Sequence, residues 1–279
     1  MKLGDVRESE NVEDRRNAGG GFGRRGPIAI SGVTVVAALV VALITGKNPL
    51  ELLSGAGNAR GPRTHKPVDA NDPGAVFVRK VLATTEDCWN DALPKMGVPY
   101  KEPTLVLFRD GVDSACGFQD AAVGPFYCPG DSHAYVDLDF LDDLQKKLGA
   151  QGEFASGYVI AHEVGHHVQN LLGDSKRARG DKDKGPTGAS VRLELQADCY
   201  AGVWASWVKK KGLLEVGDVQ QALDAANAIG DDTLQRRAGK RVTPESFSHG
   251  SGEQRVRWFS RGMDSGDPRA CDTFAASAL

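Results

Sequence analysis

Residues 158–172 read YVIAHEVGHHVQNLL, an apolar run into which His162, Glu163 and His166 are set. At about 3.6 residues per turn, His162 and His166 leave a helix on nearly the same face, where two imidazoles can converge on one ion. Glu163 lies about 100° further round, beside such an ion rather than on it. The neighbours Val159, Ile160, Val164, Val168, Leu171 and Leu172 are apolar, and ionisable groups among them are costly unless a metal or hydrogen bonds compensate. The pattern predicts a buried helix over 154–172 with an HExxH metal site on one face.

A catalytic zinc takes three protein ligands and keeps a position for water, whose pKa falls to about 7. His162 and His166 supply two. The third is expected from a second long helical pattern, 191–211, where Glu194 and Asp198 stand on one face among Leu193, Leu195, Ala197 and Val203. Glu194 is assigned as the ligand. Asp198 is assigned as the carboxylate that accepts the free N–H of a ligating histidine and fixes its tautomer. Spacing alone allows the two acids to exchange roles. Glu163 then fits the general base that takes a proton from the water and returns it to a leaving amine.

This pair of helices resembles the gluzincins, zinc peptidases with HExxH on one helix and Glu, three residues, Asp on another. Four stretches are more closely similar to a bacterial family of neutral zinc metallopeptidases: SACGFQDAAVGPFYCPGD (114–131), YVIAHEVGHHVQNLLG (158–173), LELQADCYAGVWA (193–205) and SHGSGEQRVRWF (248–259). The resemblance runs over roughly 66–274. It implies a zincin-like domain with a Zn2+ cofactor, a zinc metalloendopeptidase activity on a protein or peptide substrate, and an N-terminal membrane anchor. SHGSGEQRVRWF is also similar to the His and Arg segment that follows the zinc site in membrane-associated gluzincins. That likeness implies His249 as a donor to the tetrahedral intermediate, a role worth about 3 kcal/mol, and Arg255 as a residue that orients the site. Two rival readings are a zinc-stabilised scaffold or adaptor without turnover, against which Glu163 speaks, and an amidase acting on cell-wall peptides.

The chain has 279 residues and a formal net charge of −3, so the basic footprint of a nucleic-acid binder is missing. Residues 1–26 mix charges with the glycine-rich run 19–23 and are expected to be a disordered cytoplasmic tail. Residues 27–45, PIAISGVTVVAALVVALIT, carry no charge and would make a helix of about 28 Å, enough to cross a bilayer. Arg15, Arg16, Arg24 and Arg25 precede this run and Lys47 stands alone after it. By the positive-inside rule the N-terminus stays cytoplasmic and the catalytic domain is extracytoplasmic. Small residues at 54–59 offer a cleaved signal peptide instead, but the length and position of the apolar run favour an uncleaved single-pass anchor in the cell membrane. Residues 46–71, rich in Gly, Pro, Asn and Arg, read as a linker.

Five cysteines without a CxxC pair do not form a thiolate zinc cage. An outward-facing domain permits disulfides, and Cys116 with Cys128 is the pair expected to bridge. The odd count leaves at least one thiol unpaired.

The folded domain is expected over 72–279. Asp72 and Pro73 open a helix that runs to near Pro94, with Val76, Phe77, Val81, Leu82 and Trp89 at helical spacing. Strands are expected at 104–108 and 134–138, and helices at 139–148, 154–172, 191–211, 216–228 and 252–261. Residues 174–190 read as a charged surface loop. The sum is an α+β, zincin-like, mostly helical domain with a small β-sheet, preceded by one transmembrane helix. Strand 134–138 is the expected edge for pairing with an extended peptide. His167 is expected to be structural, Trp204, Trp207 and Trp258 to be core, and His65 and His133 receive no role.

Overall fold

Asp72 caps the first helix, α1 (Pro73–Ala92): its carboxylate accepts from Gly74 N at 2.8 Å and Ala75 N at 3.2 Å. Pro73 takes the first-turn position, where no N–H is needed. The computed structural model that shows this describes residues 1–16, 71–120, 124–146, 148–150, 152–179 and 185–279.

The main sheet has the strand order β1-β2-β6-β5, with β1 at Val12–Asp14, β2 at Thr104–Phe108, β5 at Phe126–Cys128 and β6 at His133–Asp137. β1 and β6 run parallel to β2, and β5 runs antiparallel to β6. Two further strands, β3 (Gly111–Ser114) and β4 (Gly117–Asp120), form a separate hairpin. Alternation along the strands sends Leu105, Leu107, Ala134 and Val136 into the main core and Val106, Phe108 and Tyr135 into a smaller cluster with Val112 and Cys128. The expected peptide-pairing edge at 134–138 is therefore interior. His133–Asp137 is covered on both sides by β2 and β5, and the free edge nearest it is Phe126–Cys128. Three residues between the turns of a Gly- and Pro-rich stretch carry too little pattern to announce that strand.

The helices are α2 (Leu138–Lys146), α3 (Glu153–Leu172), α4 (Asp174–Arg179), α5 (Ala189–Lys210), α6 (Asp218–Ala228), α7 (Asp231–Arg237) and α8 (Gly252–Ser265). α4 lies within the segment expected to be a loop, and α7 was not expected. α3 is buried along most of its length, which explains its near-continuous apolar sequence. It meets α5 at Gly165, where a Cβ would stand 2.9 Å from the Ala197 carbonyl oxygen and 3.1 Å from its Cα. α5 and α8 approach more closely still at Gly202 and Gly262, where a Cβ on either would overlap the other helix's backbone.

The expected Cys116–Cys128 disulfide is present, a second joins Cys199 to Cys271, and Cys88 is the buried free thiol. Among the described residues no helix is long and apolar enough to cross a membrane. The expected span at 27–45 and all of the linker but Asn71 lie outside those residues.

Residues 1–16 correct the expectation of a disordered tail, and with it the confinement of the fold to 72–279. They lie along α1 and β2, with Met1 and Leu3 in the main core. Their order rests on strand pairing and ion pairs rather than on apolar bulk, so composition alone did not show it. Residues 17–26 of the expected tail lie outside the described residues.

Candidate metal centre

α3 and α5 cross where Gly165 faces Ala197, and this contact sets the face of α3 that carries His162 and His166 against the face of α5 that carries Glu194. One potential ligand atom from each of the three lies within 4.8 Å of the others. Glu194 Oε2 is 3.2 Å from His162 Nε2, and Oε1 is 3.6 Å from His166 Nε2.

The donor set fits a divalent cation because both Nδ1 atoms are already occupied. His162 Nδ1 lies 2.9 Å from Asp198 Oδ1, and His166 Nδ1 lies 2.9 Å from Gln169 Oε1. Both pairs need the hydrogen on Nδ1, so in the neutral ring the lone pair is on Nε2, the atom nearest Glu194. Desolvation pulls the His162 pKa down, but Asp198 and Glu194 outweigh it and hold the imidazole up at about 10. The carboxylates that favour a proton there favour a metal ion for the same Coulombic reason.

Asp198 is fully buried, and burial alone would raise its pKa; Arg255 and His162 hold it below the ordinary carboxylate value. Arg255 grips it with two parallel bonds, Nε to Oδ2 and Nη2 to Oδ1, each 2.9 Å. The Tyr158 hydroxyl donates to Asp198 Oδ1 at 2.5 Å and accepts from Arg255 at 3.2 Å. A capping box at the start of α8, Ser251 with Gln254, fixes the turn that delivers Arg255. The structure places Glu194 against the Nε2 atoms of both histidines and Asp198 behind His162. Arg255 touches Asp198 rather than the point where the three groups converge.

Glu163 is buried on the same helix, and its pKa is raised first by that burial, against the lowering pull of His162 and His166. His249 stands on the loop before α8. Burial pushes its pKa down, but the Glu194 charge and the Asp231 carboxylate raise it above the ordinary imidazole value. Asp231, first residue of α7, holds that loop: Oδ2 accepts from the backbone N–H of Ser248 and His249 at 2.7 Å and of Gly250 at 3.1 Å. Its Oδ1 is 3.4 Å from His249 Nδ1.

Sequence reading missed Gln169, Gln196, Tyr158 and Asp231. Gln169 donates to Leu193 O at 2.6 Å and to Gln196 Oε1 at 3.0 Å, which turns its carbonyl toward His166. Its place one turn past His166 on the same face was the available signal. His167 is structural, as expected: Nε2 donates to Lys101 O at 2.6 Å and Nδ1 accepts from the Tyr127 hydroxyl at 3.0 Å.

A helix with HExxH is packed on a helix with Glu, three residues, Asp, and two imidazoles and one carboxylate converge between them, a donor set that fits zinc. The chain belongs to the family described as "Putative neutral zinc metallopeptidase", whose profile matches residues 1–274. It is 47% identical over 286 residues to the uncharacterized protein YpfJ of Escherichia coli (strain K12), covering 99% of this chain and 100% of that protein. It is 46% identical over 214 residues to the uncharacterized protein Rv2575 of Mycobacterium tuberculosis (strain ATCC 25618 / H37Rv), covering 72% of this chain and 71% of that protein. No solved structure matches the chain.

Proposed function

We propose that this protein is a zinc metalloendopeptidase in which His162, His166 and Glu194 hold the metal and Glu163 is the general base. The observation that carries the reading is the convergence of those three ligand groups within 4.8 Å, with each imidazole's Nδ1 already engaged elsewhere. Zinc, when bound, polarises the scissile carbonyl and lowers the pKa of a water to about 7. Glu163 takes a proton from the attacking water on a carboxylate oxygen and delivers it to the leaving nitrogen. Burial raises the basicity of this carboxylate and so suits it to both steps. His249, steadied by Asp231, donates to the oxyanion as the carbonyl becomes tetrahedral. An extended peptide substrate pairs along the free edge of Phe126–Cys128, which is tied to α3 through Tyr127 and His167.

An extracytoplasmic place of work belongs to the same reading and is supported by the two disulfides. Contact of 27–45 with a membrane, whatever the path of the chain, is supported by the lack of charge in that run.

The test is zinc content and cleavage of an unfolded protein by the full chain, beside Glu163→Gln. The expected result is one zinc per chain in both and a loss of turnover of about 10²-fold or more in the variant. Zinc without cleavage in either would move the protein to a scaffold role, and absence of zinc would sink the reading.

A further inference from the structure

The surface formed by α1 and the outer edge of β2 is covered by the chain's own residues 1–16, and the cover is specific. Glu86, 1% exposed, accepts from Arg7 at 2.8 Å, Ser9 at 2.5 Å and Asn11 at 2.9 Å, all three in that segment. Lys80 reaches back to the carbonyls of Leu3 and Gly4 at 2.8 Å each. Leu105 N donates to Asn11 O and Arg15 N to Leu107 O, both at 2.8 Å, as β1 adds to the sheet. The buried guanidinium of Arg16 is held by Asp14 and, at 2.8 Å, by Asp72, the cap of α1. Arg16 and Asp72, 56 positions apart in the chain, are therefore held side by side.

Between those points lies the uncharged run 27–45, one bilayer crossing in length. A single crossing would put residues 1–16 and 71–279 on opposite faces. The surface on α1 and β2 would then be bare, and Glu86 would lose its bonds to Arg7, Ser9 and Asn11. A second copy could not fill the gap, because its residues 1–16 would lie on the far face too. We infer that residues 1–16 and 71–279 occupy the same side of any membrane the chain meets. This replaces the arrangement expected from the positive-inside pattern. Two of the arginines counted there are engaged in the fold, Arg15 by Glu13 and Arg16 by Asp14 and Asp72. The inference does not depend on the zinc or peptidase reading.

The thiol inventory suits a labelling test, since Cys88 is buried and the other four cysteines are in disulfides. Asp5→Cys and Lys240→Cys, both exposed positions, are each expressed as the full chain in bacterial cells, with the parent as blank. A membrane-impermeant maleimide is applied with only the outer membrane opened, and again after the inner membrane is opened. The inference expects both variants to behave alike, reacting together before the inner membrane is opened or together only after it. Reaction of one variant before opening and of the other only after would overturn it.

Discussion

Gln169 carries no charge, yet its side-chain amide decides which nitrogen of His166 is available. Because its nitrogen donates to Leu193 O, its oxygen must face His166 Nδ1, and the imidazole is held with Nε2 toward Glu194. Gln169→Leu keeps the volume but removes both functions, freeing the ring to rotate and to change tautomer. Zinc affinity is expected to fall by about 10- to 100-fold, measured by competition with a chelating dye, with the fold intact by circular dichroism. Unchanged affinity would show that packing alone orients His166. At this scale the proposed ligands were legible and their supports only in part. His162, Glu163 and His166 announce themselves because one helix fixes their spacing, and Glu194 and Asp198 repeat the device on a second. Tyr158 and Asp231 act through partners far along the chain, at Asp198 and His249, and no local spacing reveals such a pairing.

The long helices were legible because each buries a broad apolar face; the short pieces were not. β5 is three residues between turns, and α7 is seven residues of mostly polar sequence whose role is to carry Asp231. Nor was the depth of the helix crossings legible, although a glycine inside HExxH hinted at it. Gly165 lets α3 lie against Ala197 of α5, and that approach is what brings Glu194 to the histidines. Gly165→Ala would set a methyl against the Ala197 backbone, which cannot yield as a side chain would. The helices must part, at a cost of about 1–3 kcal/mol for overpacking. Expected outcomes are a lower Tm and a zinc affinity reduced more than the stability loss explains. A variant with lowered Tm and parental zinc affinity would place the site's geometry elsewhere than in this contact.

Across the whole molecule, the part least legible from sequence is the part that closes the fold. Residues 1–16 look solvated by composition, and their contribution depends on Glu86, a carboxylate on α1 that this segment covers and neutralises. A fragment of residues 71–279 would leave Glu86 with no cation and would uncover the outer edge of β2. The fragment loses the β1 pairing, the buried Met1 and Leu3 and the bonds to Glu86, so it is expected to unfold at markedly lower denaturant than the full chain. The share that belongs to the ion pair can be separated from lost packing. In the fragment, where Glu86 meets water, Glu86→Gln should change stability by no more than about 0.5 kcal/mol. In the full chain the same change should destabilise, because Arg7 and Ser9 lose an ionised acceptor. A loss in the full chain with little change in the fragment, read from chemical denaturation midpoints, is what the buried pair requires. Equal effects in both would mean that residues 1–16 contribute only surface burial.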